Sequence, residues 1–442
     1  MTDPRIIVRS DHPISRQDID KDSLRVLYRL KDSGYDGYLV GGAVRDLLMG
    51  HRPKDFDIAT DARPRELRRL FKNSREVGKR FRLVHIFFGP KNIEVSTLRS
   101  EVEPQGGDDL YVESDNQWGN LESDAFRRDF TVNALYYDIR DFAIIDYVGG
   151  VEDIHAGLIR TIGDPRVRFQ EDPVRMLRAV KFAARFGYRI EEKTEAAIAE
   201  LHADILKANR HRVTEEFFRI LTQANRTEGL RLLAKFGLLT DLYPDWVKVI
   251  GAEGLEQVLD ILAAVDADAE EDRYYSIELI ASVLFIPLLD TVDPSSDQFN
   301  RVAARVTQEI RQLGIRMDLP KRLLNTAVEL MRGQLYLLFF AHKENRVHRF
   351  VESPWFDPTW RLHLLAFGRM DDLAPLRSTW LMARKRLGKP IGGLVNSPDR
   401  RDIFSFRGRT GGGRHQGHSG PPGDDDDGEW AEPELVDAGE EA

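Results

Sequence analysis

The chain has 442 residues, 42% of them hydrophobic and 31% charged, with no cysteine and a formal net charge of −9. That length predicts two to four structural units with ample core. The absence of cysteine excludes disulfides, thiol nucleophiles and cysteine-held zinc or iron–sulfur sites, and no stretch is apolar enough to span a membrane. The acidity sits mostly at the end. Gly408 to Ala442 carries ten acids against two arginines, whereas Arg63 to Arg82 holds nine Arg and Lys against two Glu and Arg160 to Arg189 holds eight against three. Two inner stretches can therefore attract a polyanion despite the negative total. The first residues lack an apolar run followed by a small-residue cleavage site, which predicts no secretory leader and, with the missing cysteines, a cytoplasmic location.

In chain order, residues 1–20 read as an irregular arm, and Leu24, Leu27 and Leu30 have helical spacing that stops at Gly34. "GYLVGG" reads as a short buried strand, Gly41 to Gly50 as a turn into a helix, and "DFDIAT" (Asp55 to Thr60) as a half-buried strand of period two. A basic helix follows from Arg63, then two apolar runs, "FRLVHIFFG" and "KNIEVSTLR", joined as a hairpin at Gly89-Pro90. Asp108 to Asp124 is polar and loop-like, "FRRDFTVNALYYD" has helical character, and "FAIIDYVGG" returns to strand. Beyond Val151 amphipathic helices dominate, over Pro173 to Phe186, Lys193 to Lys207, Thr214 to Gln223, Thr227 to Phe236 and onward to a basic helix at Arg377 to Lys389. From Arg407 the Gly, Pro, His and Asp-rich run has nothing to bury and is expected to be disordered. The fold class is thus an α+β head with a small mixed sheet, followed by an all-α neck, body and tail. The expected divisions are an arm (1–20), a head (21–155), a neck (156–226), a body and tail (227–400) and an acidic terminus (401–442).

On a strand, Asp55 and Asp57 share a face, about 6 to 7 Å apart at Cβ, with Phe56 turned into the core. Two such carboxylates repel unless a cation lies between them. Mg²⁺ suits, because it takes oxygen ligands and prefers carboxylates combined with substrate phosphates, and two ions together can clamp the attacking and leaving oxygens of an in-line displacement. Gly41 and Gly42 leave room for phosphates near the start of a helix, and Arg45 follows one turn later. In "EDPVRMLRAVKF", Glu171 and Asp172 precede Arg175 by four and three residues and Arg178 lies one turn on, a pattern that by itself describes a salt-bridged helix start.

"LVGGAVRDLLMGHRPKDFDIAT", "EVSTLR", "RRDFTVNALYYD", "IRTIGDPRVRFQEDPVRMLRAVKFAARFGY" and "LLAKFGLLTDLYPDW" together resemble the class II tRNA nucleotidyltransferase and bacterial poly(A) polymerase family, from Tyr38 to Trp246. The resemblance implies a nucleotidyltransferase head and a template-independent polymerase that adds nucleotides to RNA 3′ ends with Mg²⁺. It assigns Asp55 and Asp57 to two metal ions. For the third carboxylate it favours Asp129, the acid of the "RRDFT" motif, as the catalytic group, with Glu94, which alternation places opposite to Ile93 and Val95, as support at the metal site. It implies ribose and triphosphate contacts from Arg127, Arg128 and Asn133, a hinge at Gly163 and Asp164, and base reading by Glu171, Asp172, Arg175 and Arg178. An Asp and an Arg together match the amino donor and ring-nitrogen acceptor that adenine and cytosine share.

The arginine-rich "VGKRFRLVHIFFG", the arm and "FVESPWFDPTWRLHLLAFGRMDDL" are similar to the poly(A) polymerase branch, with ATP as substrate. The alternatives are CCA addition to tRNA from CTP and ATP, and, in a different class, a non-catalytic RNA-binding protein. Arg384, Lys385 and Arg386 are candidates for holding the RNA backbone, while Trp380 is read as core. The chain departs from the branch in its acidic end, expected to mimic RNA or to dock RNA-decay proteins or RNA chaperones.

Overall fold

The computed structural model describes residues 3–78, 83–100, 118–223, 225–270, 274–295 and 298–389. The acidic terminus expected at 401–442, most of the polar loop and Lys79 to Arg82 of the basic stretch lie outside the described residues.

The head is built on an eight-stranded sheet in the order β1-β8-β7-β2-β3-β6-β5-β4. Its strands are β1 (Arg5–Ile7), β2 (Gly37–Val40), β3 (Ile58–Thr60), β4 (Ser74–Val77), β5 (Leu83–Phe88), β6 (Lys91–Thr97), β7 (Leu135–Asp138) and β8 (Ile144–Asp146). All neighbours run antiparallel except β3 and β6, so the sheet is mixed, as expected. Helix α1 (Lys21–Asp32) starts on Asp20, whose side chain accepts from the N–H groups of Asp22 and Ser23. It lays Leu27 and Leu30 on Gly37, where a Cβ would meet Leu30 Cδ1 at 3.1 Å. Tyr38, Val40, Ala59, Ala134, Tyr136 and Ile162 form a core on one side of the sheet.

Four local expectations give way to tertiary packing. The arm is not wholly irregular, because Arg5–Ile7 pairs with β8 at the sheet edge. Strand β3 begins only at Ile58, so Asp55 and Asp57 lie in the loop before it. The basic helix α3 (Pro64–Leu70) ends after seven residues and the chain becomes β4, where hairpin pairing with β5 outweighs helix propensity. "FRRDFTVNALYYD" follows the short helix α4 (Leu121–Phe126) and becomes central strand β7, whose "LYYD" is buried throughout, the signature of a strand covered on both faces.

After α2 (Gly42–Leu48), α5 (Gly150–Ala156) and the small β9 (Leu158–Ile159) and β10 (Arg189–Ile190) pair, the chain is helical. The neck comprises α6 (Pro165–Glu171), α7 (Val174–Phe186), α8 (Glu192–Leu201) and α9 (Arg210–Thr222). The body continues through α10 (Arg226–Lys235), α11 (Leu238–Leu242), α12 (Pro244–Glu270, broken at Gly251), α13 (Ile277–Val283), α14 (Phe299–Arg316), α15 (Lys321–Phe340), α16 (Glu344–Glu352), α17 (Phe356–Phe367) and α18 (Ala374–Arg386). Trp380 is core, its Nε1–H donating to the Leu337 carbonyl at 3.1 Å. Arg384 is also buried and pairs with Asp357, so it is spent inside the bundle rather than offered to RNA. Among the described residues, no helix is long and apolar enough to cross a membrane.

Candidate active site

The chain leaves α2 through Gly50 (φ 73°), the His51 N–H donates to the Asp46 carbonyl at 2.8 Å, and Pro53 is buried. This fixed loop delivers Asp55 and Asp57 to a cleft of about 1370 Å³, whose walls also include Glu94, Phe56, Lys21 and Arg52. Phe56 is half-buried in that wall, not in the core. The Asp57 N–H and C=O belong to a backbone that still reaches the sheet, since the Val40 N–H donates to the Asp57 carbonyl at 3.0 Å. Asp57 is exposed at the wall of the cleft, yet the protein mass around it weakens the solvation of its charge. That desolvation, with the charges of Glu94 and Asp55, pushes the carboxyl up to about 6 against the opposing pull of Arg128.

Glu94 points away from the core, between buried Ile93 and Val95, as its alternation predicts. Directly across the hairpin is His85, almost fully buried, with Nε2 3.1 Å from Glu94 Oε1. Among the described residues no three His, Asp or Glu side chains close as a ready-made metal cage. The donor set nonetheless fits Mg²⁺: all its atoms are carboxylate oxygens, and their mutual repulsion is what a divalent cation relieves, with substrate phosphates completing the shell.

Gly41 takes φ 63° and ψ −124°, a conformation open to glycine, while its N–H donates to the Leu135 carbonyl at 3.0 Å. A Cβ there would lie 3.2 Å from Arg128 Nη1, and one on Gly42 3.4 Å from Arg45 Nη2. Two guanidiniums thus pack against the glycine turn. Arg45 is buried, not extended toward solvent-borne phosphates: it donates to Asp46 Oδ1 from Nε at 2.9 Å, to Asn133 Oδ1 from Nη1, and lies over the Phe186 ring at 4.5 Å. Arg128 donates to Asp124 and to the Tyr136 hydroxyl oxygen, and Arg127 also pairs with Asp124. Burial alone would raise the Asp124 carboxyl. Arg128, Arg127 and the Tyr136 O–H more than offset it and hold it at about 2.

Asp129 stands apart from the cleft. Its Oδ1 accepts from the Phe130 N–H at 2.9 Å and Asn133 Nδ2 at 3.1 Å, and its Oδ2 from Arg178 Nε at 2.7 Å. These donors outweigh desolvation and hold its carboxyl at about 2. The neck motif also divides. Arg175 donates to Glu171 Oε2 and to the Arg168 carbonyl, both at 2.9 Å. Asp172 does not hold Arg175 with its carboxylate, because that group accepts from both terminal nitrogens of Arg212, at 3.1 and 2.7 Å. Arg178 reaches back to the head instead of lining up with Arg175. Gly163 (φ 81°) and Asp164, the cap of α6, stand where head gives way to neck.

The structure therefore brings Asp55, Asp57 and Glu94 to one cleft, and Arg45, Asn133, Asp129 and Arg178 to one head–neck joint. His85, Asp124, Arg168 and Arg212 were not singled out by the sequence. His85 was within reach: a turn at Gly89-Pro90 sets Phe88 opposite Lys91, and counting back pairs His85 with Glu94.

A mixed sheet presenting paired carboxylates beside a glycine turn, joined to a helical neck and body, is the arrangement of a nucleotidyltransferase. Residues 37–160 match the "Poly A polymerase head domain" family model, and residues 187–249 match one described as "Probable RNA and SrmB- binding site of polymerase A". Poly(A) polymerase I of Escherichia coli O6:H1 is 38% identical over 375 residues, 81% of this chain and 80% of that protein. The CCA-adding enzyme of Enterococcus faecalis is 33% identical over 378 residues, 82% of this chain and 88% of that protein. The chain belongs to the family of bacterial poly(A) polymerases and CCA-adding enzymes. Its fold is shared with a tRNA-processing enzyme in apo form (TM-score 0.61, 23% identity, 86% of this chain and 94% of that one) and with the Thermotoga maritima CCA-adding enzyme complexed with tRNA (TM-score 0.60, 22% identity, 85% of each).

Proposed function

We propose that this protein is a polynucleotide adenylyltransferase that adds AMP from ATP to RNA 3′ ends in the cytoplasm. The observation that carries the choice of substrate is the higher identity to Poly(A) polymerase I, 38% against 33% for a CCA-adding enzyme over nearly the same span. The arginine-rich sequence before β5 supports the same branch.

In this reading Asp55, Asp57 and Glu94 hold Mg²⁺, which when bound supplies charge stabilisation to the phosphoryl oxygens and lowers the pKa of the primer hydroxyl. The protein's own part is to fix those carboxylates on a loop braced by Pro53 and on β6, so that little reorganisation is needed as charge develops. Arg128 stands at the glycine turn, near enough for its charge to act on Asp57, and is the cation this reading assigns to the triphosphate. Glu171 presets the Arg175 guanidinium for a base edge, and both terminal nitrogens of Arg212 hold the Asp172 carboxylate. Asp129 acts as a positioning residue, tying head to neck through Arg178.

CCA addition is the second reading, favoured by a 40% identity over 226 residues to the CCA-adding enzyme of Lactobacillus helveticus. The test is incubation with Mg²⁺, ATP or CTP, and either an unstructured RNA or a tRNA lacking its 3′ end. Long A tails on both RNAs are expected. CTP incorporation confined to the tRNA establishes the second reading, and no incorporation anywhere establishes a binding protein.

A further inference from the structure

We propose that His85 is a positioning residue for the reaction, holding Glu94 in the orientation that lets it serve as the third metal-binding carboxylate; this rests on the reading of Asp55, Asp57 and Glu94 as the metal site. The geometry comes from the β5–β6 hairpin. His85 and Glu94 are directly paired across it, and Asn92, two residues before Glu94, is on the same face. The Asn92 amide Nδ2 donates to His85 Nδ1 at 3.1 Å, which leaves the ring proton on Nε2, and that N–H donates to Glu94 Oε1 at 3.1 Å. The chain of donors runs one way, from Asn92 through the imidazole to the carboxylate.

The two ends of this chain differ in exposure. The His85 side chain is 3% exposed, whereas that of Glu94 is 45% exposed and lines the cleft. A glutamate on an open face has several rotamers to lose when it binds an ion. A buried donor on one oxygen removes most of that freedom and leaves the other oxygen, which accepts from none of the described residues, for an ion in the cleft that Glu94 shares with Asp55 and Asp57. The edge-on contact of the His85 ring with Phe87, 6.4 Å between centroids, holds the ring from a second side. A donor that orients a ligating group commonly matters about 10- to 100-fold in metal affinity or activity.

The test uses the full chain with Mn²⁺ as the probe ion, read by calorimetry in the presence of ATP, alongside kcat and KM for ATP on an unstructured RNA. His85→Leu fills the site without a donor, and His85→Gln keeps an N–H in reach of Glu94. The leucine variant is expected to bind Mn²⁺ about tenfold more weakly and to lose kcat about tenfold at little change in KM, while the glutamine variant stays within about threefold of the wild type. In a Glu94→Gln background His85→Leu is expected to have no further effect. Equal losses in the leucine and glutamine variants, or a leucine variant that binds Mn²⁺ like the wild type, overturn the proposal. If His85→Leu does not fold, Asn92→Leu at its half-exposed site releases the ring instead, and unchanged Mn²⁺ binding there overturns the proposal equally. A wild type that binds Mn²⁺ but extends no RNA refutes the proposed function and leaves the His85–Glu94 coupling readable from binding alone.

Discussion

Arg178, in the first half of neck helix α7, clamps Asp129 of the head: its Nε lies 2.7 Å and its Nη2 2.5 Å from the same carboxylate oxygen. The pair does not stand alone. Asp129 is bonded to Asn133, Asn133 to Arg45, and Arg45 to Asp46, to which Arg185, two turns along α7, also extends at 3.4 Å. The circuit thus leaves α7 at Arg178 and returns to it at Arg185, with Arg45 lying against the Phe182 and Phe186 rings inside the loop. Head and neck are joined along one helical face.

Removing one partner of such a buried pair strands the other charge. Asp129→Ala is expected to cost about 3 kcal/mol of unfolding free energy, read from urea melts at neutral pH. Asp129→Asn should keep some nucleotide addition, because the carboxylate is committed to Arg178 and not to the cleft. A fully folded Asp129→Asn protein with no detectable addition would make Asp129 the third catalytic acid instead.

Asp129 at this joint, and Asp124 within the head, set an acid limit. The Asp124 and Asp129 carboxyls sit at about 2 in the folded chain against an ordinary 3.8. Their folded-state values are depressed, so their stabilisation is complete above pH 4 and is lost as pH falls from about 4 through 2, roughly 2 kcal/mol for each group. Denaturation midpoints measured between pH 5 and 2 should drop most steeply in that window, and the drop should shrink in Asp129→Asn.

The body has a different acid response. His363 is fully buried, with Nδ1 3.0 Å from Gln334 Oε1 and its ring stacked on Trp360. Desolvation, helped by Arg377, pushes it down to about 4 from 6.5. It is neutral when folded, so the unfolded chain takes up the proton first. Stability is lost as pH falls from about 6.5 toward 4, by about 3 kcal/mol in all. Tryptophan fluorescence melts should show the decline beginning near pH 6.5, and His363→Gln should flatten it.

Arg175 is preset by Glu171 and the Arg168 carbonyl, which leaves its guanidinium immobile at the start of α7. Arg175→Ala is expected to narrow the ratio of kcat/KM for ATP over GTP and UTP by about tenfold, the value of one good bidentate contact, with a smaller effect on inhibition by pyrophosphate. Unchanged base preference would remove the base-reading role.

Much of this was legible in the chain. The glycine pair, the hairpin turn and the alternation of Ile93, Glu94 and Val95 depend on local backbone rules, and the structure follows them. The switch of "NALYYD" from helix to strand was not legible, because its causes are pairing on both edges with β8 and β2 and burial throughout, properties of neighbours outside the segment. The site divided in a similar way. Glu94 lies on a strand whose side-chain directions can be counted, whereas Asp55 and Asp57 lie in a loop before β3 where that count does not apply, and the positions of Arg45, Asp129 and Arg178 depend on the packing of α7 on the head. Charge adjacency in the sequence suggested that Asp172 would hold Arg175. The partner came from α9 instead, since Arg212 offers two parallel N–H groups that a neighbour on the same helix turn cannot.

The most direct test of the central claim is the rate of RNA lengthening by the Asp55→Asn, Asp57→Asn double variant, measured with ATP and Mg²⁺ next to a wild type of matched thermal midpoint. The account predicts a folded protein that extends RNA at least about a hundredfold more slowly. A double variant that lengthens RNA as fast as the wild type would contradict it.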